Sequence, residues 1–227
     1  MPLRGKAFMI VWHDIRAEGE RDYHLWHTRE HMPERLGVPG FLRGRRGVDW
    51  SRDRHRYLTL YEGENLATFG APEYLARLNN PTPWTLRTQP TFFNFIRCAC
   101  DIAGTVGRGV GGAMATFRVP FEGIDADAFR TLAPALADEL LALEGVNAVH
   151  LGTARPDVTG AKTRETELRG MTRDDVFDAV ILVDAVGRRE LAALMPEIIT
   201  RLEAKRLHVD PAETAVYDMA FCLEPTG

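Results

Sequence analysis

Three cysteines in 227 residues, Cys98, Cys100 and Cys222, form an odd set with no CxxC pair. Neither a disulfide framework nor a zinc knuckle is indicated, and the three read as buried thiols. Lysine is nearly missing as well: 25 of the 28 basic residues are arginine. Guanidinium suits carboxylate recognition, but biased genomic base composition produces the same skew, so it carries no functional weight. No apolar run approaches the roughly 20 residues that span a bilayer, and residues 1–6 do not lead into the apolar stretch of a signal peptide. A soluble, cytoplasmic protein with no membrane partner is expected. Positive charge is not in surplus either, since 32 acidic residues outweigh the 28 basic ones. No global basic field exists to neutralise a nucleic-acid backbone, so no nucleic-acid partner is expected.

What is present is ordinary globular material, 45% hydrophobic and 26% charged, in a chain long enough for one large or two small domains. Residues 103–112 read AGTVGRGVGG and can bury little side-chain area, which marks a glycine-rich linker between residues 1–102 and 113–227. Gly107, Gly109 and Gly112 also satisfy GxGxxG, but a strand-like stretch follows instead of the helix that would receive a pyrophosphate. Charge and composition change at the same place. The first half carries 15 basic and 12 acidic residues, the second 13 and 20; all four tryptophans and five of the seven histidines precede the linker.

Element order does not change. The first half reads as a strand at 7–13, a helix at 18–31, strands at 41–48 and 57–62, a short helix at 72–78 and a strand at 92–100. The second reads as a strand at 113–119, a helix from an Asp125 cap, strands at 146–152 and 177–184, a helix at 188–205 and a strand at 214–223. Pro134 and Pro196 fall inside predicted helices, where each is expected to kink or split the helix. Both halves are βαββαβ, which points to an internal duplication. The expected class is α+β: two ferredoxin-like repeats whose antiparallel sheets pack face to face as a barrel, with a ligand cavity between them.

Tyr23, Trp26, Glu30, His31, Pro33 and Leu36, followed by Val38-Pro39-Gly40-Phe41, resemble the EthD-like branch of the dimeric α+β barrel superfamily. In that branch an aromatic residue and a Glu-His-x-Pro turn precede a Pro-Gly-Phe strand start. Asn79 to Thr85 is similar to the loop after the second helix in some members. The resemblance covers the first half; the second half follows only in element order and lacks the tryptophan and the Glu-His-x-Pro turn. The usual unit is one repeat that dimerises, whereas this chain carries two. The resemblance implies a small-molecule site but leaves cofactor-free monooxygenase, lactone isomerase and haem-dependent activities open, because fold does not determine function.

On a helical wheel Tyr23, Trp26, His27, Glu30 and Glu34 share one arc with His31 at its edge, and Leu25, Met32 and Leu36 lie nearly opposite. Either face can meet the sheet. If the aromatic face does, His27 and His31 border the cavity; if the leucine stripe does, they face solvent. His27 to His31 also matches the HxxEH spacing of inverted zinc peptidases, but those enzymes need a third ligand and a larger scaffold, and no metal is assigned. Acid–base work is the sharper reading, because histidine titrates nearest neutrality. His31 is the first candidate base, His27 the second, and Glu30 or Glu34 the group that would fix a tautomer. Expected substrate contacts are His13, Tyr23, Trp26, a carboxylate fork from Arg43 and Arg45 inside the barrel, and Trp84 closing over an aromatic ligand. A solvated sheet edge explains the two arginines as well. The expected function is a cofactor-free isomerase, lyase or monooxygenase acting on a small apolar or aromatic, in some cases anionic, compound. The rival readings are a non-catalytic binding protein, a haem or metal enzyme, and a homo-oligomer assembled through a sheet edge.

Overall fold

Along β1 (Ala7–Ile15), Phe8, Ile10 and Trp12 alternate with Met9, Val11 and His13, and every one of them is buried. A strand hidden on both faces lies between two packed layers. In the computed structural model, which describes residues 3–169 and 177–225, β1 belongs to a closed antiparallel barrel. The other strands are β2 (Phe41–Val48), β3 (Tyr57–Gly63), β4 (Phe92–Gly107), β5 (Ala113–Val119), β6 (Val146–Ala154), β7 (Ala179–Ala185) and β8 (Ala215–Leu223). Around the ring they run β1-β3-β2-β8-β5-β7-β6-β4, so each half contributes four strands in the same relative order. Residues 1–2, 170–176 and 226–227, which the two expected halves include, lie outside the described residues.

Helices cover the outside. The first half supplies α1 (Glu20–Trp26), a π-helical turn (His27–His31), α2 (Met32–Leu36), α3 (Pro72–Asn79) and α4 (Pro83–Thr88). The second supplies α5 (Ala126–Leu141), α6 (Pro156–Thr159), α7 (Arg164–Arg169) and α8 (Arg188–Ala204). The Asp125 side chain caps α5 by accepting from the Ala128 N–H, as its position suggests. Both α5 and α8 run through Pro134 and Pro196 without splitting, because apolar burial of Phe129, Leu136 and Leu140 in one and Leu191, Ile198 and Leu202 in the other outweighs one missing backbone bond.

Three expectations need correction. The glycine-rich stretch is not a linker from residue 103: β4 continues through it, pairing Gly104 with Leu151 and Gly107 with Ala148. Its glycines serve close approach. A Cβ on Gly104 would lie 2.9 Å from the Ala133 carbonyl oxygen, and Gly107 has a φ of +107°. Next, the expected barrel forms, closing through β4 with β6 and β2 with β8, but packed side chains occupy the interior where a ligand cavity is expected. Phe8, Ile10, Trp12, Leu60, Met114 and Leu182 pack there, and the Trp12 indole donates across it to Thr116 Oγ1 at 3.3 Å. A Cβ on Gly152 would meet the Phe8 ring at 2.6 Å. Finally, Cys98 and Cys100 are buried but Cys222 is exposed. No helix of the described residues is long and apolar enough to cross a membrane.

Arg43 and Arg45 project into this filled interior, where they are committed to protein carboxylates. Arg43 Nε donates to Glu62 Oε1 at 2.7 Å, and Arg45 Nη1 donates to both Asp184 oxygens at 2.8 and 3.0 Å. The expected substrate fork is therefore met by Glu62 and Asp184, although Arg45 Nε and Nη2 have no hydrogen-bond acceptor among the described residues. His150 shares a 3.2 Å hydrogen bond with Asp184 and a 2.8 Å one with Thr105. Burial alone would raise the Asp184 carboxyl, but Arg45 and the His150 contact hold it below the usual carboxylate range. Asp184→Ala therefore leaves the Arg45 guanidinium buried against a cavity. We expect it to cost about 3–5 kcal/mol in urea unfolding, with Asp184→Asn costing less.

Candidate functional site

The outward face of β1 and β3 carries Met9, Val11, His13, Thr59 and Tyr61, and the α1–α2 segment lies over it. That segment is not one regular helix. Pro33 lacks an N–H, so the turn before it cannot keep the ordinary bonding; instead the Met32 N–H reaches the His27 carbonyl five residues back, closing a π turn. The wide turn shifts the phase of the helix. Tyr23, Trp26 and His27 are buried ahead of it and Met32 and Leu36 beyond it, although a straight wheel places these sets on opposite sides. Leu25 is left exposed. The aromatic face is therefore the inner one, and both histidines border a cavity.

The cavity lies between sheet and helices, outside the barrel, and its volume is about 40 Å³. His13, His27 and His31 line it together with Tyr61, Phe92, Phe95 and a group from α7, Glu165 and Arg169. His31 is half-buried, its ring lying on the Trp26 indole with centroids 4.2 Å apart. The His27 ring is 5.3 Å from it. Two of the imidazoles are held by hydroxyls: His27 Nε2 bonds Thr59 Oγ1 at 3.1 Å and His13 Nε2 bonds the Tyr23 hydroxyl at 3.0 Å. In all three rings Nδ1 is buried without a protein partner. Burial, reinforced by nearby cationic side chains, pushes each of the three well below the usual histidine range, so all are neutral at pH 7.

The other expected residues divide. Tyr23 orients His13, and Trp26 backs His31, its indole fixed by a 3.1 Å bond to Thr85 Oγ1. Glu30 does not reach either histidine. It accepts from the Thr82 hydroxyl, which also bonds Thr85 at 3.1 Å, so it ties α4 to the helix that carries Trp26. Trp84 does not cap the cavity; its indole donates to Asp22 at 3.0 Å on the outer side of α1. Among the described residues no three His, Cys, Asp or Glu side chains converge to hold a metal, so the HxxEH spacing forms no zinc site there.

Sequence reasoning missed Thr59, Tyr61, Arg35, Glu165 and Arg169. The first two were accessible from strand alternation, since Tyr57, Thr59 and Tyr61 share the face opposite Leu58 and Leu60. Nothing in the sequence joins Arg35 to Glu165, 130 positions apart, yet they form a buried ion pair across the cavity.

The three neutral imidazoles have a consequence for stability. Their folded pKa values lie below 6.5 while the unfolded chain titrates near it, so the unfolded state binds more protons as pH falls. Stability contributed by the neutral rings is complete above pH 6.5 and declines below it, by up to about 1.4 kcal/mol per pH unit for each group. Denaturant midpoints measured from pH 7.5 to 5 should fall, and His27→Gln should reduce the slope.

No family model and no curated protein matches the sequence. Solved structures do. An anthrone oxidase-like protein superposes over 99% of this chain and 95% of its own, with TM-score 0.63 and 10% identity. A candidate monooxygenase from Fusobacterium nucleatum covers 99% of this chain and 97% of its own at TM-score 0.58 and 10% identity. A mutant chlorite dismutase from Candidatus Nitrospira defluvii covers 96% and 92% at TM-score 0.57 and 9% identity. A haem-binding protein from Thermus thermophilus lies further off at TM-score 0.50 and 10% identity. At such identities the likeness concerns architecture, and the chain has the dimeric α+β barrel fold.

Proposed function

We propose that this protein is an enzyme of small-molecule catabolism that takes a proton from an apolar or aromatic substrate with His31, and that it needs no metal or organic cofactor. The observation that carries the reading is the set of three neutral imidazoles around one cavity, each with a buried and unpartnered Nδ1. A neutral imidazole accepts a proton, and the low dielectric of the site strengthens the attraction between the imidazolium and the anion that form together. The Tyr61 hydroxyl is also buried without a partner, and burial pushes its pKa up, so it stays protonated and can donate to the oxygen that receives the electron pair. His27 is the second candidate base.

An anthrone is a fitting probe, given the oxidase-like protein of similar fold. Its methylene proton passes to His31, and the electron pair spreads onto the carbonyl oxygen facing Tyr61. Dioxygen then oxidises this enolate, and the net conversion of anthrone and dioxygen to anthraquinone and water balances. Isomerisation or elimination follows from the same first step on other substrates. The strand order common to both halves supports an internal duplication in which only the first half kept the site, as an EthD-like reading of the Glu30-His31 turn suggests.

A haem reading meets two obstacles. In the second half, α5 and α8 carry no histidine, cysteine or tyrosine and close on Phe117, Phe129, Leu136, Ile181 and Ile198. In the first half the cavity is small for a macrocycle and His13 and His31 lie against aromatic rings. The residues present do not fit the group.

Oxygen uptake with an anthrone tests the proposal. His31→Ala should lower kcat/KM by about 10²–10⁴-fold and Tyr61→Phe by about 10²-fold. The acid limb of the pH profile should lie below 6.5, with activity undiminished at pH 7. Full turnover in both His31→Ala and His27→Ala would remove the proposed base. Tight binding with the compound recovered unchanged would assign the cavity to a binding protein instead.

A further inference from the structure

Arg169 ends α7 with its side chain only 4% exposed, its guanidinium 4.1 Å from the Phe95 ring centroid. Nη1 donates to Gln89 Oε1 at 3.1 Å. Nε and Nη2 are buried and have no partner among the described residues. Those two nitrogens share one edge of the planar group, where their N–H bonds run parallel at the spacing of two carboxylate oxygens. Leaving such an edge dry and unpaired is costly, so its persistence beside a cavity needs an explanation.

The described residues do not supply the missing acceptor. Glu165 approaches Arg169 only to 3.5 Å; one of its oxygens is taken by Arg35, and the other accepts from Gln89 Nε2 at 3.1 Å. Arg97, also on the wall, donates through Nη2 to the Thr159 carbonyl at 3.0 Å, which brings no negative charge. Three arginines thus face Glu165, the one carboxylate among the described lining residues, with Glu34 pairing Arg35 from behind at 3.2 Å, and the histidines of the cavity are neutral. Burial first, and then Arg97, pulls the Arg169 pKa down to about 9, which is the mark of a poorly compensated cation.

We propose that Arg169 determines the specificity of this cavity, its Nε–Nη2 edge holding the carboxylate of an aromatic acid whose ring lies toward Phe95 and Phe92. The proposal rests on the reading that the cavity takes a substrate, and it puts the anion recognition first expected of Arg43 and Arg45 on a residue from the other half of the chain. An incoming carboxylate meets two parallel donors on a fixed plane, and the stack on Phe95 holds that plane in place.

Titration of the whole protein with 2-naphthoate and with 2-naphthamide, followed by calorimetry at pH 7.5, compares an acid with a neutral compound of nearly the same shape. The acid should bind about ten- to a hundred-fold more tightly. Arg169→Gln should erase that preference by weakening the acid alone, and Arg169→Lys should keep part of it, with thermal unfolding confirming that both variants are folded. Equal affinity of the unsubstituted protein for the two compounds overturns the assignment and leaves the catalytic reading intact, as does an acid preference that survives in Arg169→Gln. If neither compound binds, the assignment falls, and His31-dependent anthrone turnover then decides separately whether the catalytic reading falls with it.

Discussion

The two-residue period of β1 governs where everything else in the molecule goes. Phe8, Ile10 and Trp12 point one way and pack against Leu58, Leu60, Met114 and Leu182 inside the ring. Met9, Val11 and His13 must then point outward, and an outward histidine on a strand needs cover. The α1–α2 segment gives that cover, and the space left beneath it is the cavity. Ligand space under the helices is thus the complement of a barrel packed solid, in contrast to larger barrels that keep a hollow interior.

Pro33 has an equally concrete effect. A missing N–H near the end of a helix usually ends it, but here a π turn absorbs the defect, and the chain continues as helix to Leu36. The change of phase lets two stripes of side chains that a regular helix would separate lie against one sheet. Trp26 can stack on His31 while Met32 fits the space left open by Gly44, where a Cβ would come within 2.4 Å of the methionine methyl. The Glu-His-x-Pro sequence is therefore a geometric device before it is a chemical one, and Glu30 belongs to the scaffolding that keeps α4 in place.

Much of the architecture was legible because it depends on local periodicity. The strands at 41–48 and 113–119 and the Asp125-capped helix follow from alternation, 3.6-residue spacing and a cap, and the structure keeps them. The glycine-rich stretch misled, since glycine is used both where a chain is loose and where it must come very close to another backbone, and the 103–107 segment is the second case. For the site, His13, His27 and His31 were identifiable by residue type, and Tyr23 and Trp26 by the face they share. Alternation put Arg43 and Arg45 on one strand face without deciding between the barrel interior and a solvated edge, and their partners Glu62 and Asp184 sit on other strands and leave no trace in local pattern. Arg169 was invisible for the same reason. Its role arises from contacts with Gln89 and Phe95, which only the folded chain brings near.

Closure of the ring has a mechanical corollary. β4 is 16 residues long and bonds to β1 along its first part and to β6 along its last, while β8 joins β2 to β5. Each described strand has a neighbour on either side in the ring, although β4 and β8 meet their two neighbours along different stretches, so only short rows of amides are left for a neighbouring molecule to extend. Peeling any single strand away requires two ladders to break together. The two halves consequently lose their order as one unit, and the cavity wall, drawn from both, goes with them.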